Sequence, residues 1–587
     1  MASEAFAGVG TKFQRWDGAA WQDIAEVNSI DGPGMTKDVL EVTSLDTDAG
    51  YNEFITGFAE GGTLTLDMNF TRETYELMKE DFESDEVRSY RIQLPDYDSE
   101  PSTFTIEGLI IELPITMTAD DKVTADVVIQ VTSQVILDIG STVPEDFSWS
   151  AYWEQQWYGI QIDEANTSPD VTRIASDMTE HDGTYIHAVL PVHAKIKACL
   201  LNDDGTVNYY LDPTDWSKQV GGAASNLDGS DGQVMIEWPD FYYKVETDYP
   251  SAGKHQIKIS CSALSGFTLV PKHYVSAYEA NIQRSLLKFG SFKNTGADYR
   301  GGNNTAAWDA ADNTLLGRPV TNVDRTNGRT YARNRGTGWN QYGYNDHKWL
   351  FWFFAIEYAT LNSQKAVNAT KTAQGYFQGG LGYGVSNANN TEWVNFCGYN
   401  PFIPCGASDT LASGSGEVNY VATNFGGAGV NRTFTVNRYR GHEMPFGHIW
   451  KICDGVNVNI QAADSGGESQ VFVADNPSSW NDANYTGYTN RGLMSRKNGW
   501  MNKALLGAGA EFVPSEAGIS GSGGDTYYCD DFYTSKPPAS GSSLRMMLVG
   551  GHAQYEAYGG LACSTYSVPA PSYTNFGFRL RFETPIV

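Results

Sequence analysis

The sequence predicts a mainly β protein with an α+β C-terminal region, and three observations carry that prediction. Apolar residues recur at every second position through much of the first 140 residues, which is the period of strands with one face on a core. The chain holds 61 glycines and 22 prolines, so turns between short strands are frequent. At 587 residues it is too long for one core and divides into domains.

Charge marks the division. Residues 1–140 hold 28 Asp and Glu against 8 Lys and Arg, and no cysteine. The remaining 447 residues hold 42 against 32, so the first quarter carries two-thirds of the net charge of −30. A compact module this acidic repels nucleic acid. A hydrophobic content of 41% with 33 tyrosines excludes a disordered chain. The opening MASEAFAGVGTKFQRW lacks the basic segment and apolar core of a signal peptide. The longest apolar stretch, Trp349–Leu361, contains Glu357 and is too short to span a bilayer, so no membrane insertion is expected. Seven scattered cysteines without a CxxC fit a chain made in a reducing cytosol, with thiols as small core residues.

In the first module, Leu64, Leu66, Met68 and Phe70 alternate along Gly62–Phe70, and Val123, Ala125, Val127, Ile129 and Val131 along Val123–Val131. Tyr90, Ile92 and Leu94 make a third run and Phe104–Ile111 a fourth. One helix interrupts them: Thr71 can cap a segment with Glu73 in its first turn and Tyr75, Met78 and Phe82 at helical spacing. The expected product is a small β-sandwich or barrel with one helix. Asp31–Gly62 is a long acidic arm whose Val39, Leu40, Val42, Leu45, Phe54, Ile55 and Phe58 argue for folding against a partner rather than for disorder.

A boundary follows at Asp138–Asp146 (DIGSTVPED), then a run of tryptophans at Trp149, Trp153 and Trp157. The expected division is 1–140, a linker over 141–156 and a large domain over 157–587, β-rich to about residue 270. Helices are expected at Tyr274–Phe289 and at Asp346–Asn362, the second apolar all round and therefore buried.

The segment EVTSLDTDAGYNEFITGFAEGGTLTLDMNF (Glu41–Phe70) closely resembles the central motif of phage major tail proteins, the tail tube subunits of long-tailed bacteriophages. The order strand, acidic arm, strand, helix, strands resembles it too, over residues 1 to about 140. The resemblance implies hexameric rings stacked into a tube, with the arm bridging neighbours through Val42, Leu45, Phe54, Ile55 and Phe58. It also implies tape measure, tail terminator and tip proteins as partners, assembly in the host cytoplasm and location in the virion tail. A lumen lined by part of the acidic charge would let DNA pass without specific binding.

Tyr274–Gln283 (YVSAYEANIQ), Arg438–Gly455 (RYRGHEMPFGHIWKICDG) and Asn575–Phe582 (NFGFRLRF) resemble the C-type lectin fold. The nearest branch is that of formylglycine-generating enzymes and the variable proteins of diversity-generating retroelements. That implies a large C-type-lectin-like domain and, in the retroelement branch, diversified positions just before the final strand. There Gly550–Asn575 interleaves Tyr555, Tyr558, Tyr566 and Tyr573 with Ser, Gly and Asn, the composition of binding loops. With Asn575 these are the candidate contacts to a host-surface glycan or protein.

No catalytic set is expected. The close cysteine pair of the formylglycine-generating relatives has no counterpart beyond Cys529 and Cys563, 34 positions apart, and the nine histidines are dispersed, with His442 and His448 inside the fold motif. Trp480-Asn481-Asp482 is similar to the WND triplet of calcium-binding lectins, but no EPN or QPD precedes it at the usual distance. No cofactor is expected, calcium standing only as an alternative. The reading is a structural tail tube protein with an externally displayed binding domain. Its rivals are a low-copy distal tail or baseplate adhesin and a formylglycine-generating-type oxidase.

Overall fold

The computed structural model describes residues 9–41, 54–138, 149–366, 388–519, 525–554 and 559–584, with short gaps at 18–19, 85, 96–100, 120–121, 182 and 310, and also 368 and 370 in place of 367 and 369. The chain divides into two units, Met1–Ser148 and Trp149–Val587.

In the first unit β1 (Lys12–Trp16), β2 (Trp21–Ile24), β3 (Val27–Asp31), β4 (Thr36–Glu41), β5 (Phe54–Glu60) and β6 (Thr63–Asn69) precede the helix α1 (Arg72–Glu83). After it come β7 (Arg88–Gln93), β8 (Thr103–Glu112), β9 (Ile115–Thr116), β10 (Thr124–Val131) and β11 (Ile136–Asp138). Nine of these strands form one antiparallel sheet in the order β2-β1-β7-β8-β10-β6-β3, with β9 added on β10 and β11 on β8. Alternation sets which face is buried. Leu64, Leu66 and Met68 of β6 and Ala125, Val127, Ile129 and Val131 of β10 point into the core, with Leu66 opposite Val127 and Leu64 opposite Ile129. Each such large side chain contributes about 1.5–3 kcal/mol by leaving water. Gly108 of β8 is required by close approach: a Cβ there would stand 2.5 Å from Ile129 Cγ2 and 2.7 Å from the Gln130 carbonyl.

The helix begins where expected, with the Thr71 hydroxyl accepting from the Thr74 N–H at 3.2 Å. Its inward face differs. Phe82 is exposed, and the buried residues are Thr74, Met78 and Asp81. An acid replaces an aromatic because its partner waits in the sheet. Arg15 of β1 donates Nε and Nη2 to the two Asp81 oxygens at 2.5 Å each, the Tyr90 hydroxyl donates at 3.0 Å, and Arg88 Nε lies 3.3 Å away. Hydrogen bonding to the Asp81 carboxylate raises the Arg15 pKa, and burial together with the Asp81 charge pushes the Tyr90 hydroxyl far up, so both remain donors.

The second unit starts earlier than position 157. Trp149–Glu154 is a helix with Trp153 buried in that unit's core, and Ser260 and Ser262 hydroxyls donate to the carbonyls of Gln156 and Glu154. The end of the expected linker is therefore packed structure. A five-stranded sheet contains Trp157–Asp163 and Lys254–Ser260. In a seven-stranded sheet the C-terminal strand Leu580–Phe582 pairs with His273–Ser276 on one side and Trp339–Gln341 on the other. A nine-stranded sheet is built around Trp450–Gln461 and Ser542–Val549.

The expected helix at Tyr274–Phe289 is absent. That segment is the strands His273–Ser276, Asn281–Gln283 and Lys288–Gly290, with Arg284–Leu286 as a single tight turn. Residues 273–282 are buried throughout, so apolar spacing could not separate a buried strand from a buried helix. The other helix runs Tyr344–Tyr358 rather than Asp346–Asn362, with twelve of its 15 residues buried. Asp346 fixes its start by accepting from the Gly343 N–H at 2.7 Å, and left-handed Ala359 ends it. Phe353 packs on Trp238 and Phe241 with ring centroids 4.7 and 4.9 Å apart. All seven cysteines are free thiols. Among the described residues no helix is long and apolar enough to cross a membrane.

Asp81→Ala strands the Arg15 guanidinium without its buried partner and is expected to cost the first unit about 3–5 kcal/mol. Denaturant unfolding of the full chain measures it; a loss under about 1 kcal/mol would show that the pair does not hold α1 to the sheet.

Candidate assembly and binding surfaces

The arm folds as a hairpin. β4 and β5 pair antiparallel, with Thr36 opposite Glu60, Leu40 opposite Ile55 and Glu41 opposite Phe54, and in the described residues neither strand joins the nine-stranded sheet. Two strands by themselves are marginal in water, so this ribbon needs a surface to lie on. Phe54, Ile55 and Phe58 stand on β5; Val42 and Leu45 lie outside the described residues. Other residues of the same unit also leave apolar surface uncovered: Met117 after β9 is exposed, as are Ile136 and Leu137 of β11.

The outward face of the sheet is acidic at its centre. Asp67 of β6 stands directly opposite Asp126 of β10, flanked by Thr65, Thr124 and Gln130. Like charges in register weaken a strand pair by up to about 1 kcal/mol. Asn28 Nδ2 donates to Asp67 at 3.2 Å, and no described cation pairs with either carboxylate at ion-pair distance. Such a face repels phosphate.

At the C-terminal end, Tyr555 and Tyr558 lie outside the described residues. Tyr566 and Tyr573 are half exposed, and each rests on a different neighbour: Tyr566 on Tyr533 at 5.3 Å and Tyr573 edge-on to Phe576 at 4.8 Å. Asn575 is half-buried, with its carbonyl accepting from the Trp450 N–H at 3.0 Å. One group that sequence reasoning missed supports this segment. Asp530 is fully buried and accepts from the Gly559 N–H at 2.6 Å and the Leu561 N–H at 2.8 Å. Burial pushes its carboxyl up to about 7 despite those two donors. Its partners lie 29 and 31 positions away, so no local pattern announces it.

The other candidate chemistries meet occupied groups. Burial raises the thiols of Cys529 and Cys563 well above their ordinary range, which disfavours the thiolate form. In the Trp480-Asn481-Asp482 triplet, the Asp482 carboxylate is held by Arg325 Nε at 2.6 Å, Arg329 Nη2 at 3.1 Å and the Thr326 hydroxyl. Trp480 Nε1 donates to the Ala474 carbonyl, and Asn481 Oδ1 accepts from the Ala483 and Asn484 N–H groups. These oxygens serve a guanidinium clamp. Among the described residues no cluster of His, Cys, Asp and Glu could hold a metal ion. His442 and His448 are fully buried, His448 bonding Glu279 at 2.8 Å and His442 facing Trp238 Nε1 at 3.3 Å.

The first unit is thus β-rich and acidic, with a capped helix and a hairpin outside the described nine-stranded sheet. Residues 5–137 match the Lambda phage tail tube protein family. Solved structures similar to the chain include the virion of a native gene transfer agent particle, 14% identical over 23% of this chain and 99% of that one, with a TM-score of 0.20. Another is the tail of an empty gene transfer agent particle solved with helical refinement and C6 symmetry, 16% identical over 23% and 99%, TM-score 0.20. A third is the sheath/tube terminator of the extracellular contractile injection system PVC in its extended state, 15% identical over 24% and 99%, TM-score 0.20. At such scores these likenesses add no weight to the family match. No curated protein matches the chain.

A carboxyl whose folded pKa stands above its unfolded value favours the fold only while protonated. The Asp530 contribution is therefore full below about pH 4 and lost as pH rises through about 7. Asp530→Asn is expected to flatten that part of the stability-versus-pH curve, an effect on the order of a few kcal/mol. Thermal melts of both proteins between pH 5 and 8 measure it, and parallel curves would contradict it.

Proposed function

We propose that this chain is the tail tube subunit of a long-tailed phage, with the first unit polymerising into stacked hexameric rings and the second displayed on the tube's outside. The observation that carries the reading is the tail tube family match over residues 5–137, joined to a hairpin that, among the described residues, pairs with no strand of the nine-stranded sheet. A ribbon that is marginal alone becomes stable when it bridges to a neighbouring subunit. The acidic pair Asp67–Asp126 fits a wall along which DNA slides without sticking. Tape measure, terminator and tip proteins are the partners such a tube requires.

The second unit is read as a C-type-lectin-like binding domain that attaches to host-surface glycan or protein. Half-exposed Tyr566 and Tyr573 near the last strand support it, since tyrosine offers large contact area at low entropic cost. Repetition along a shaft converts weak single contacts into avidity. The raised thiols of Cys529 and Cys563 favour binding over oxidase chemistry.

Electron microscopy of the purified full chain tests the assembly. Rings or tubes are expected, and Ile55→Asp in the hairpin is expected to reduce them at least tenfold while the melting curve is kept. A chain that stays monomeric under all conditions, or an Ile55→Asp variant that assembles normally, would contradict the proposal.

A further inference from the structure

The second unit seals a carboxylate, an amine and an imidazole together in its interior. Glu279 follows the strand His273–Ser276, and His448 and Lys451 stand at the entry to the strand Trp450–Gln461. None of the three side chains is more than 2% exposed. Lys451 Nζ lies 3.1 Å from Glu279 Oε1, and His448 Nδ1 lies 2.8 Å from Glu279 Oε2. A fully desolvated ion pair is costly unless its atoms are also well hydrogen-bonded, and this one is not. Oε1 accepts no hydrogen bond although the amine is beside it, and His448 Nε2 makes none either. Lys451 donates instead to the Gly447 carbonyl at 3.0 Å. The amine therefore touches the carboxyl group without the alignment of a hydrogen bond. Unmet buried polar atoms are unusual enough to require an explanation.

The chemical state of the pair suits a condensation. Burial acts to raise Glu279, but Lys451 and His448 hold it below its usual value, so the two groups stand as carboxylate and ammonium. Burial brings the Lys451 ammonium down to about 8, which puts the neutral amine within reach near neutral pH. Groups held side by side by a fold react with effective concentrations on the order of 10⁵–10⁸ M, and the water that would reverse the reaction is excluded.

We infer that Glu279 and Lys451 condense into an intramolecular amide cross-link, with His448 as the acid. The ammonium passes one proton to the carboxylate, and the freed Nζ lone pair forms the new bond to Cδ. His448 gives a second proton to Oε2 and recovers it from Nζ. The Cδ–Oε2 bond then breaks, and Oε2 leaves as water. No oxidant or outside reagent enters, and the remaining Nζ–H keeps the Gly447 carbonyl as its acceptor. The product is uncharged, so a buried ion pair is replaced by an amide. All seven cysteines are free thiols, so this bond supplies the covalent brace that no disulfide provides. It constrains the unfolded chain as a disulfide does, resists reductant, and serves the second unit whatever that unit binds.

Mass spectrometry of the denatured full chain tests this. The mass is expected below the sequence mass by one water, and a tryptic digest is expected to contain one branched peptide joining the Glu279 and Lys451 segments. Lys451→Arg keeps the charge but supplies no amine, and is expected to show neither. In His448→Ala the cross-link is expected to form at least tenfold more slowly in freshly purified, folded protein. Circular dichroism checks the fold of both variants, and should either fail to fold, the wild-type chain alone decides. The cross-link is overturned if wild-type protein aged in its folded state at neutral pH keeps the full sequence mass. It is overturned equally if the lost water maps to another site or survives in Lys451→Arg. Formation at the wild-type rate in His448→Ala overturns the role given to His448.

Discussion

A charge that cannot reach water must be answered where it lies, and that constraint fixes how each unit is put together. In the first unit Asp81 lies inside, and the Arg15 fork, the Tyr90 hydroxyl and Arg88 converge on it, which sets the face α1 turns to the sheet. In the second unit Arg579 is fully buried and donates to the carbonyls of Ser276, Ala277, Glu443 and Met444. One guanidinium thereby holds the last strand against two distant segments. Nearby, Glu279 receives His448 at 2.8 Å and Lys451 at 3.1 Å, all three fully buried. Burial would raise Glu279 and does push Lys451 down to about 8, but the Lys451 charge and the contact with His448 keep the carboxyl below its usual value.

The two units answer different demands. The first spends stability on an acidic face, keeping Asp67 opposite Asp126, and leaves a two-stranded ribbon outside its sheet. Both features fit the proposed tube. Arg579 fixes the C-terminal strand between His273–Ser276 and Trp339–Gln341.

What could be read from the sequence follows from the range of the forces involved. Strand alternation and the Thr71 cap are local, and the structure has them where the residues place them. Phe82 stands at helical spacing with Met78, but nothing local reveals that Arg15, 66 positions from Asp81, claims the inward place for an acid. Tyr274–Phe289 reads as a helix because burial on all sides erases the difference between periods of 2 and 3.6. The Trp480-Asn481-Asp482 triplet resembles a calcium motif until Arg325 and Arg329, some 150 positions earlier, occupy its carboxylate. The Glu279–Lys451 pair has no sequence signature at all, since only the fold brings its two residues together.

The central claim is that this chain builds the shaft of a tail rather than decorating its tip, and copy number tests it most directly. Quantitative mass spectrometry of purified virions, scaled to the major capsid protein, gives that number. A tail tube subunit is expected at a hundred or more copies per particle, in a multiple of six. Three or six copies per particle, or none, would contradict the account and assign the chain to the tip or outside the virion.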